Sequence, residues 1–295
     1  LKSGALLVVV TIHPMSQHDL KMVMKWAAQE GWNPGKYDHH SYYSMDPKGH
    51  FLLLVDNKPV GAISIVMYSQ WFAFIGLFIV LPEHRSQGYG KKLWEHAMNY
   101  ISETNTCGLY AVPQQVSRYQ QSGFKEYYSN ARWTRVSPEK PEDVTDLISE
   151  TKDPSTILKK LCKYDGKVFG HDRKRFLKRM LELPQTCGFV SFNSVGKVNA
   201  YGIVRPCREG FRIGPLYAEN FQSAQSICRI LFAYVPGAKI IFDIPSTNAF
   251  GNMFAEYFDL EHLPISDTMA MFKGDDGPIE NYQNKCYATA SLEFG

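Results

Sequence analysis

Apolar residues recur along this chain with two periods, and the period switches repeatedly. Leu6 to Ile12 is a continuous apolar run rich in β-branched Val, which predicts a strand. Pro14, Ser16 and Asp19 then open a helical pattern with Leu20, Val23, Met24 and Ala27 on one side, closing near Gly31. Residues 32–49 hold Asn33-Pro34-Gly35, His39, His40, Tyr42, Tyr43 and Pro47 with neither period, and read as irregular. Phe51 to Val55 and Val60 to Met67 read as a hairpin turned by Asp56-Asn57-Lys58. Trp71 to Val80 is a further strand, and Leu93, Ala97 and Ile101 mark one face of a helix. A strand from Cys107 to Val112, a short helix from Gln114 to Ser122 capped by Gly123, and a strand from Tyr127 to Val136 follow.

Ser137-Pro138-Glu139-Lys140-Pro141-Glu142 carries two prolines and three charges and resists both periods, so it reads as a linker between residues 1–136 and 143–295. Beyond it, Val144 to Leu161 is helical in pattern, Lys163 to Arg173 reads as a loop, and Phe176, Leu177 and Met180 mark another helix. Gly188 to Asn193 and Val198 to Arg205 form a hairpin, and Phe211 to Pro215 is a strand. A helix from Asn220, a strand from Lys239 to Ile244, a helix from Phe250 to Phe258, and strands from Thr268 to Phe272 and Tyr287 to Leu292 complete the chain. The order hairpin, strand, helix, strand, helix, strand occurs in both halves, so residues 143–295 read as a diverged copy of residues 1–136.

Composition narrows the function little. Hydrophobic residues make up 44% of 295, enough for a large core and two domains of ordinary size. Residues 1–136 hold 13 Lys/Arg against 9 Asp/Glu, a mild excess that fits an anionic ligand but lacks the clustered basic face expected for nucleic acid. The six cysteines form no Cys-x-x-Cys pair and none is spaced near His as a zinc site would be, so they read as reduced thiols and no metal is expected. The apolar run at Ala5 to Ile12 is too short to span a bilayer and lacks a small-residue cleavage site after it. A cytoplasmic protein with no membrane and no nucleic-acid partner is expected, and a homodimer stays open.

The most informative stretch is Leu81 to Leu93, where a strand runs into Arg85-Ser86-Gln87-Gly88-Tyr89-Gly90 and then at once into a helix. Glycines at a helix start let backbone approach an anion, and the unpaired N–H groups and the helix dipole favour negative charge there. Arg85, Lys91 and Lys92 add cations. A dinucleotide fingerprint would need Gly-x-Gly-x-x-Gly after the first strand, and a P-loop would need Ser or Thr after the lysine. Neither fits. Arg-x-x-Gly-x-Gly between a fourth strand and the next helix resembles the GNAT acyltransferases, which carry Arg/Gln-x-x-Gly-x-Gly/Ala there, in a loop that binds the pyrophosphate of acetyl-CoA.

That resemblance covers roughly residues 6–136 and implies an α/β (α+β) fold of two tandem GNAT-like domains, each a mixed, mostly antiparallel sheet flanked by helices. It implies acetyl-CoA as cofactor, held by Phe78, Ile79, Val80, Arg85, Ser86, Gln87, Gly88, Tyr89, Gly90 and Lys91, with a backbone N–H of Val80 or Ile79 polarising the carbonyl. In Tyr119-Gln120-Gln121-Ser122-Gly123-Phe124, Tyr119 matches the family tyrosine that protonates the leaving thiolate. Many relatives place a base, Glu, in the fourth strand; Trp71 to Val80 contains no acid, leaving Glu83, His39, His40 and Asp172 as weak alternatives. The segments Gly170-His171-Asp172-Arg173, Ile213-Gly214-Pro215-Leu216-Tyr217-Ala218, Asp243-Ile244-Pro245 with Asn248, and the closing Ser291-Leu292-Glu293-Phe294-Gly295 resemble the C-terminal domain of tandem acetyltransferases, over about residues 160–295. With Glu219 and no glycine pair before its helix, this half is expected to bind no CoA and to shape the acceptor pocket instead. His39, Asp172 and Arg173 are acceptor-site candidates. The function expected is direct N-acetylation of a small or amino-acid-like amine. A protein N-terminal or lysine acetyltransferase and a non-catalytic acyl-CoA sensor are the alternatives.

Overall fold

A computed structural model describes residues 8–101, 106–140, 143–144, 154–274 and 280–295. The start of the strand expected at Leu6 and part of the helix expected from Val144 fall outside them. Strand β1 (Val10–Pro14) leads to helix α1 (Gln17–Gln29), whose start is fixed by a reciprocal cap. Ser16 Oγ accepts the Asp19 N–H at 3.2 Å, and the Asp19 carboxylate accepts the Ser16 N–H at 2.8 Å. The predicted face, Leu20, Val23, Met24 and Ala27, is buried.

The segment expected to be irregular contains helix α2 (Asp38–Met45). It shows no apolar stripe because its inward side is polar. Asp38, His39 and Ser41 are buried beside Tyr42. Asp38 takes both Nε and Nη2 of Arg205, at 2.9 and 3.1 Å, so a contact from the far half of the chain makes its burial tolerable.

Strands β2 (His50–Val55) and β3 (Lys58–Met67) form the predicted hairpin, with Asp56 and Asn57 both at positive φ in its turn. Strand β4 (Phe72–Val80), helix α3 (Tyr89–Tyr100), strand β5 (Thr106–Ala111), helix α4 (Val116–Gln121) and strand β6 (Lys125–Val136) complete the first half. Helix α5 (Pro154–Phe169) overturns the loop expected from Lys163, because Gly166 sits inside it without breaking it. Helix α6 (Lys174–Leu181), strands β7 (Cys187–Phe192), β8 (Val198–Pro206) and β9 (Phe211–Ala218), helix α7 (Phe221–Tyr234) and strand β10 (Lys239–Pro245) follow. The chain ends through helix α8 (Gly251–Tyr257), strands β11 (Glu261–His262) and β12 (Thr268–Lys273), helix α9 (Glu280–Lys285) and strand β13 (Cys286–Ala288). The last strand is shorter than expected; residues 289–292 run on without strand pairing.

Among the described residues all the strands join one 13-stranded sheet, ordered β1-β2-β3-β4-β5-β12-β6-β10-β9-β8-β7, with β11 beside β6 and β13 beside β9. The halves trade strands at its centre. Strand β6 pairs with β10, while β12 lies between β5 and β6. Strands β4–β5 and β9–β10 pair in parallel, and the other pairings are antiparallel. Both halves also bear the same one-residue bulge. Ile79 and Gly76 face Ala62 and Ser64, as Leu216 and Ile213 face Gly202 and Val204. One core cluster unites Leu20, Tyr42 and Leu77 with Phe176, Tyr201 and Tyr217, so the two halves bury each other.

Candidate functional site

The parallel register of β4 and β5 runs only from Phe72↔Thr106 to Ile75↔Leu109. Beyond it the bulge turns β4, with buried Leu77 held at φ +48°, and the two strands part. A cleft of about 850 Å³ opens between them. Phe78, Ile79 and Val80 form one wall; Leu109, Tyr110, Arg118 and Tyr119 form the other. Strand alternation decides which amides face it. The Leu81 N–H bonds the Val60 carbonyl, so the Ile79 N–H also turns toward β3, whereas the amides of Phe78 and Val80 turn to the open edge. Of the two expected polarising amides, Val80 has the required direction.

One end of the cleft is the glycine turn. Ser86 and Gly88 adopt φ +62° and +82°, and a Cβ on Gly88 would have nothing within 4 Å. Gly88 is thus required for conformation, not for space. At Gly90 a Cβ would clear the Phe78 ring by 3.7 Å, so the protein has room for one there too. Gly88 is the N-cap of α3 and no side chain caps it, leaving first-turn N–H groups available. Arg85 donates from Nε to the Val80 carbonyl at 2.8 Å and pairs with Glu30 at 2.5 Å, which fixes a half-exposed guanidinium over the turn. Arg85, Ser86, Gly88, Gly90 and Lys91 line the cleft. The side chains of Gln87 and Tyr89 do not; Gln87 turns back to the Glu83 carbonyl at 3.2 Å. The turn can hold a diphosphate by backbone amides with one fixed cation.

Tyr119 lies on the opposite wall, packed against Trp94 and Phe124 at ring distances of 5.5 and 6.1 Å. Burial pushes its phenol up to about 12, against the pull of Arg118. It therefore keeps its proton at neutral pH. The end of the cleft beside Gly76 is bounded by Leu292 and Glu293. Both come from the opposite half of the chain; their segment, Ser291 to Gly295, carries part of the resemblance to tandem acetyltransferases, but the sequence does not assign it to this site.

The other acceptor candidates lie elsewhere. His39 is buried in α2 off the cleft lining, and burial and the neighbouring His40 lower it to about 4. Asp172 accepts the Lys174 N–H at 2.8 Å as a local cap. Arg173 is wholly buried, bidentate to Asp165 at 2.7 and 3.0 Å, and stacked 4.0 Å over Phe169. Glu83 is exposed, and His40 bonds Gln17 at 2.8 Å. None of them lines the cleft. Among the described residues, no group of three or more His, Cys, Asp and Glu could hold a metal, and no helix is long and apolar enough to cross a membrane.

The second half has the matching geometry but its own chain fills it. Strands β9 and β10 also part beyond Ile241↔Arg212. Strand β13 enters there, pairing Cys286 with Tyr217 and Ala288 with Leu216 on β9. The Thr289 N–H then donates to the Asp243 carbonyl of β10 at 2.9 Å. Helix α7 is capped by Asn220, whose side chain takes the Ser223 N–H at 2.9 Å, and Glu219 pairs with Lys285 at 2.7 Å. At that turn the Ser223 N–H is already taken and Lys285 is already paired with an acid.

Comparison with known proteins agrees with this geometry. A model described as the acetyltransferase (GNAT) family matches residues 18–124, and one described as an acetyltransferase (GNAT) domain matches residues 161–288. The chain is 30% identical to holothin acyltransferase of Pseudoalteromonas sp. (strain SANK 73390), over 97% of this chain and 94% of that one. In fold it is similar to a putative acetyltransferase from Pyrococcus horikoshii, with a TM-score of 0.77 at 20% identity, covering 100% of this chain and 99% of the other. It is also similar to a tandem GNAT protein from the clavulanic acid biosynthesis pathway, with a TM-score of 0.60 at 12% identity, covering 92% and 100%. The chain belongs to the GNAT acetyltransferase family, as an acyltransferase with two GNAT domains in tandem.

Proposed function

We propose that the protein is an acetyl-CoA-dependent N-acetyltransferase that moves the acetyl group directly to the amine of a small acceptor. The cleft between β4 and β5 carries this reading. It has an anion-compatible turn at one end, a protonated phenol on one wall, and at the other end an acceptor space roofed by Leu292 and Glu293. That roof favours a small molecule over a folded protein. The acyltransferase named for holothin, similar along nearly its whole length, also supports a small-molecule acceptor.

In this reading the amides around Gln87 to Lys91, with Arg85, hold the diphosphate. The open edge of β4 from Phe78 to Val80 takes the pantetheine arm, and the Val80 N–H donates to the thioester oxygen. Bound acetyl-CoA supplies an activated acyl carbonyl. Tyr119 supplies the proton that the departing sulfur needs. The second half serves as a wall for the acceptor, since β13 occupies its own cleft.

The test is release of free thiol from acetyl-CoA against a panel of holothin, single amino acids, polyamines and lysine-containing peptides. Small amines are expected to support release, and Tyr119→Phe to lower it. Release with peptides alone would favour a protein acetyltransferase. Tight coenzyme A binding with no release against any amine would favour an acyl-CoA sensor.

A further inference from the structure

The first half lacks an acid in β4, yet three acids line the cleft; Glu30 pairs with Arg85 and Glu95 with Lys91, which leaves Glu293. Glu293 lines its acceptor end, and the residue is buried to 3% exposure. Its main chain is pressed against Gly76 of β4, where no side-chain carbon would fit between them. The chain thus places a glycine on the strand and an acidic residue from the tail over it.

The carboxylate is held by one oxygen. Ser291 Oγ donates to Glu293 Oε2 at 2.6 Å, and the Glu293 N–H donates back to Ser291 Oγ at 2.9 Å. The Tyr42 hydroxyl lies 2.8 Å from Ser291 Oγ and 2.9 Å from Asp38 Oδ2, and Arg205 neutralises Asp38. Glu293 Oε1 has no hydrogen-bond partner and no solvent contact. A buried carboxylate oxygen left unpaired carries its full desolvation penalty. Such a cost at the acceptor end of a cleft calls for a donor that arrives with the ligand.

We propose that Glu293 is the catalytic base for the acceptor. Its Oε1 accepts a proton from the acceptor's ammonium group. The nitrogen lone pair then forms the C–N bond to the acetyl carbon while the C–S bond breaks. Sulfur takes the proton given by Tyr119, and the second nitrogen proton restores the tyrosine. An ammonium and acetyl-CoA thus give the amide, free coenzyme A and one proton, which Glu293 returns to solvent. Ser291 and Tyr42 act as positioning residues that hold the other carboxylate oxygen. This rests on the function proposed above.

The test has two arms. With the most active amine of the thiol-release panel, Glu293→Gln is expected to lower kcat by about 10²–10⁴-fold. Acetyl-CoA affinity by calorimetry and the melting temperature should stay near wild type. With hydroxylamine, already neutral at neutral pH, the loss should be much smaller. Wild-type rates in Glu293→Gln, or an equal loss with hydroxylamine, would overturn the proposal. The second arm needs no acceptor: in a crystal with acetyl-CoA, Oε1 should face the acetyl carbon across a space the width of one amine nitrogen. Protein atoms between the two would overturn it. Absence of thiol release from the wild type with every amine would refute the transferase reading, while the crystal would still decide the position of Glu293.

Discussion

Gly76 in β4 lies against the Glu293 carbonyl so closely that a Cβ on the glycine would overlap it. Gly76→Ala must therefore push the tail away or bend β4. Overpacking of this kind costs about 1–3 kcal/mol. Thermal unfolding should show that loss, together with reduced thiol release.

Gly90→Ala should behave in the opposite way. The added carbon clears Phe78 by 3.7 Å and sits at the start of a helix, so stability should hold or rise slightly. Its nearest neighbours would be the Phe78 and Val80 side chains, at 3.7 and 3.8 Å, and the GNAT loop pattern carries Gly or Ala at this position. Acetyl-CoA affinity by calorimetry should therefore stay within about tenfold, or about 1.4 kcal/mol, of wild type, with an unchanged melting temperature.

These two glycines show how far local sequence reaches. The turn at Gly88 and Gly90 was legible because a helix start, two glycines and three cations coincide in one short stretch. The face of α1 was legible from its period and its cap. Helix α2 was hidden because Asp38 is buried only by grace of Arg205, 167 residues away. The exchange of β6 and β12 left no trace, since each strand has the same alternating pattern whichever neighbour it pairs with. Glu293 stands in the closing Ser-Leu-Glu-Phe-Gly, which signals a resemblance but no role, because an acid in a tail becomes a site residue only through the fold.

Arg173 and Asp172 separate structural from local roles. Removing the Arg173 guanidinium leaves Asp165 buried without its ion pair, so Arg173→Ala should destabilise by about 3–5 kcal/mol. Asp172→Ala removes one local cap and should cost only about 1 kcal/mol. Acceptor KM should be unchanged in Asp172→Ala. Chemical denaturation and steady-state kinetics on the two variants check this.

His50 makes stability fall in mild acid. It is fully buried, with Nδ1 2.9 Å from Ser64 Oγ, and desolvation lowers it to about 4. Above its unfolded value near 6.5 both states are neutral and nothing changes. As pH falls from 6.5 toward 4 the unfolded chain binds a proton that the folded chain refuses, so stability is lost by up to about 3 kcal/mol. Melting temperature against pH should drop across that window, and less steeply in His50→Leu combined with Ser64→Ala.

If the first half alone seats coenzyme A, in the turn before α3, a crystal structure with coenzyme A bound shows it without intermediaries. The diphosphate is expected against the backbone amides of Gln87 to Lys91, with Arg85 beside it and the thiol end near Tyr119. A diphosphate bound elsewhere, or a ligand that displaces β13 from between β9 and β10, would contradict this assignment.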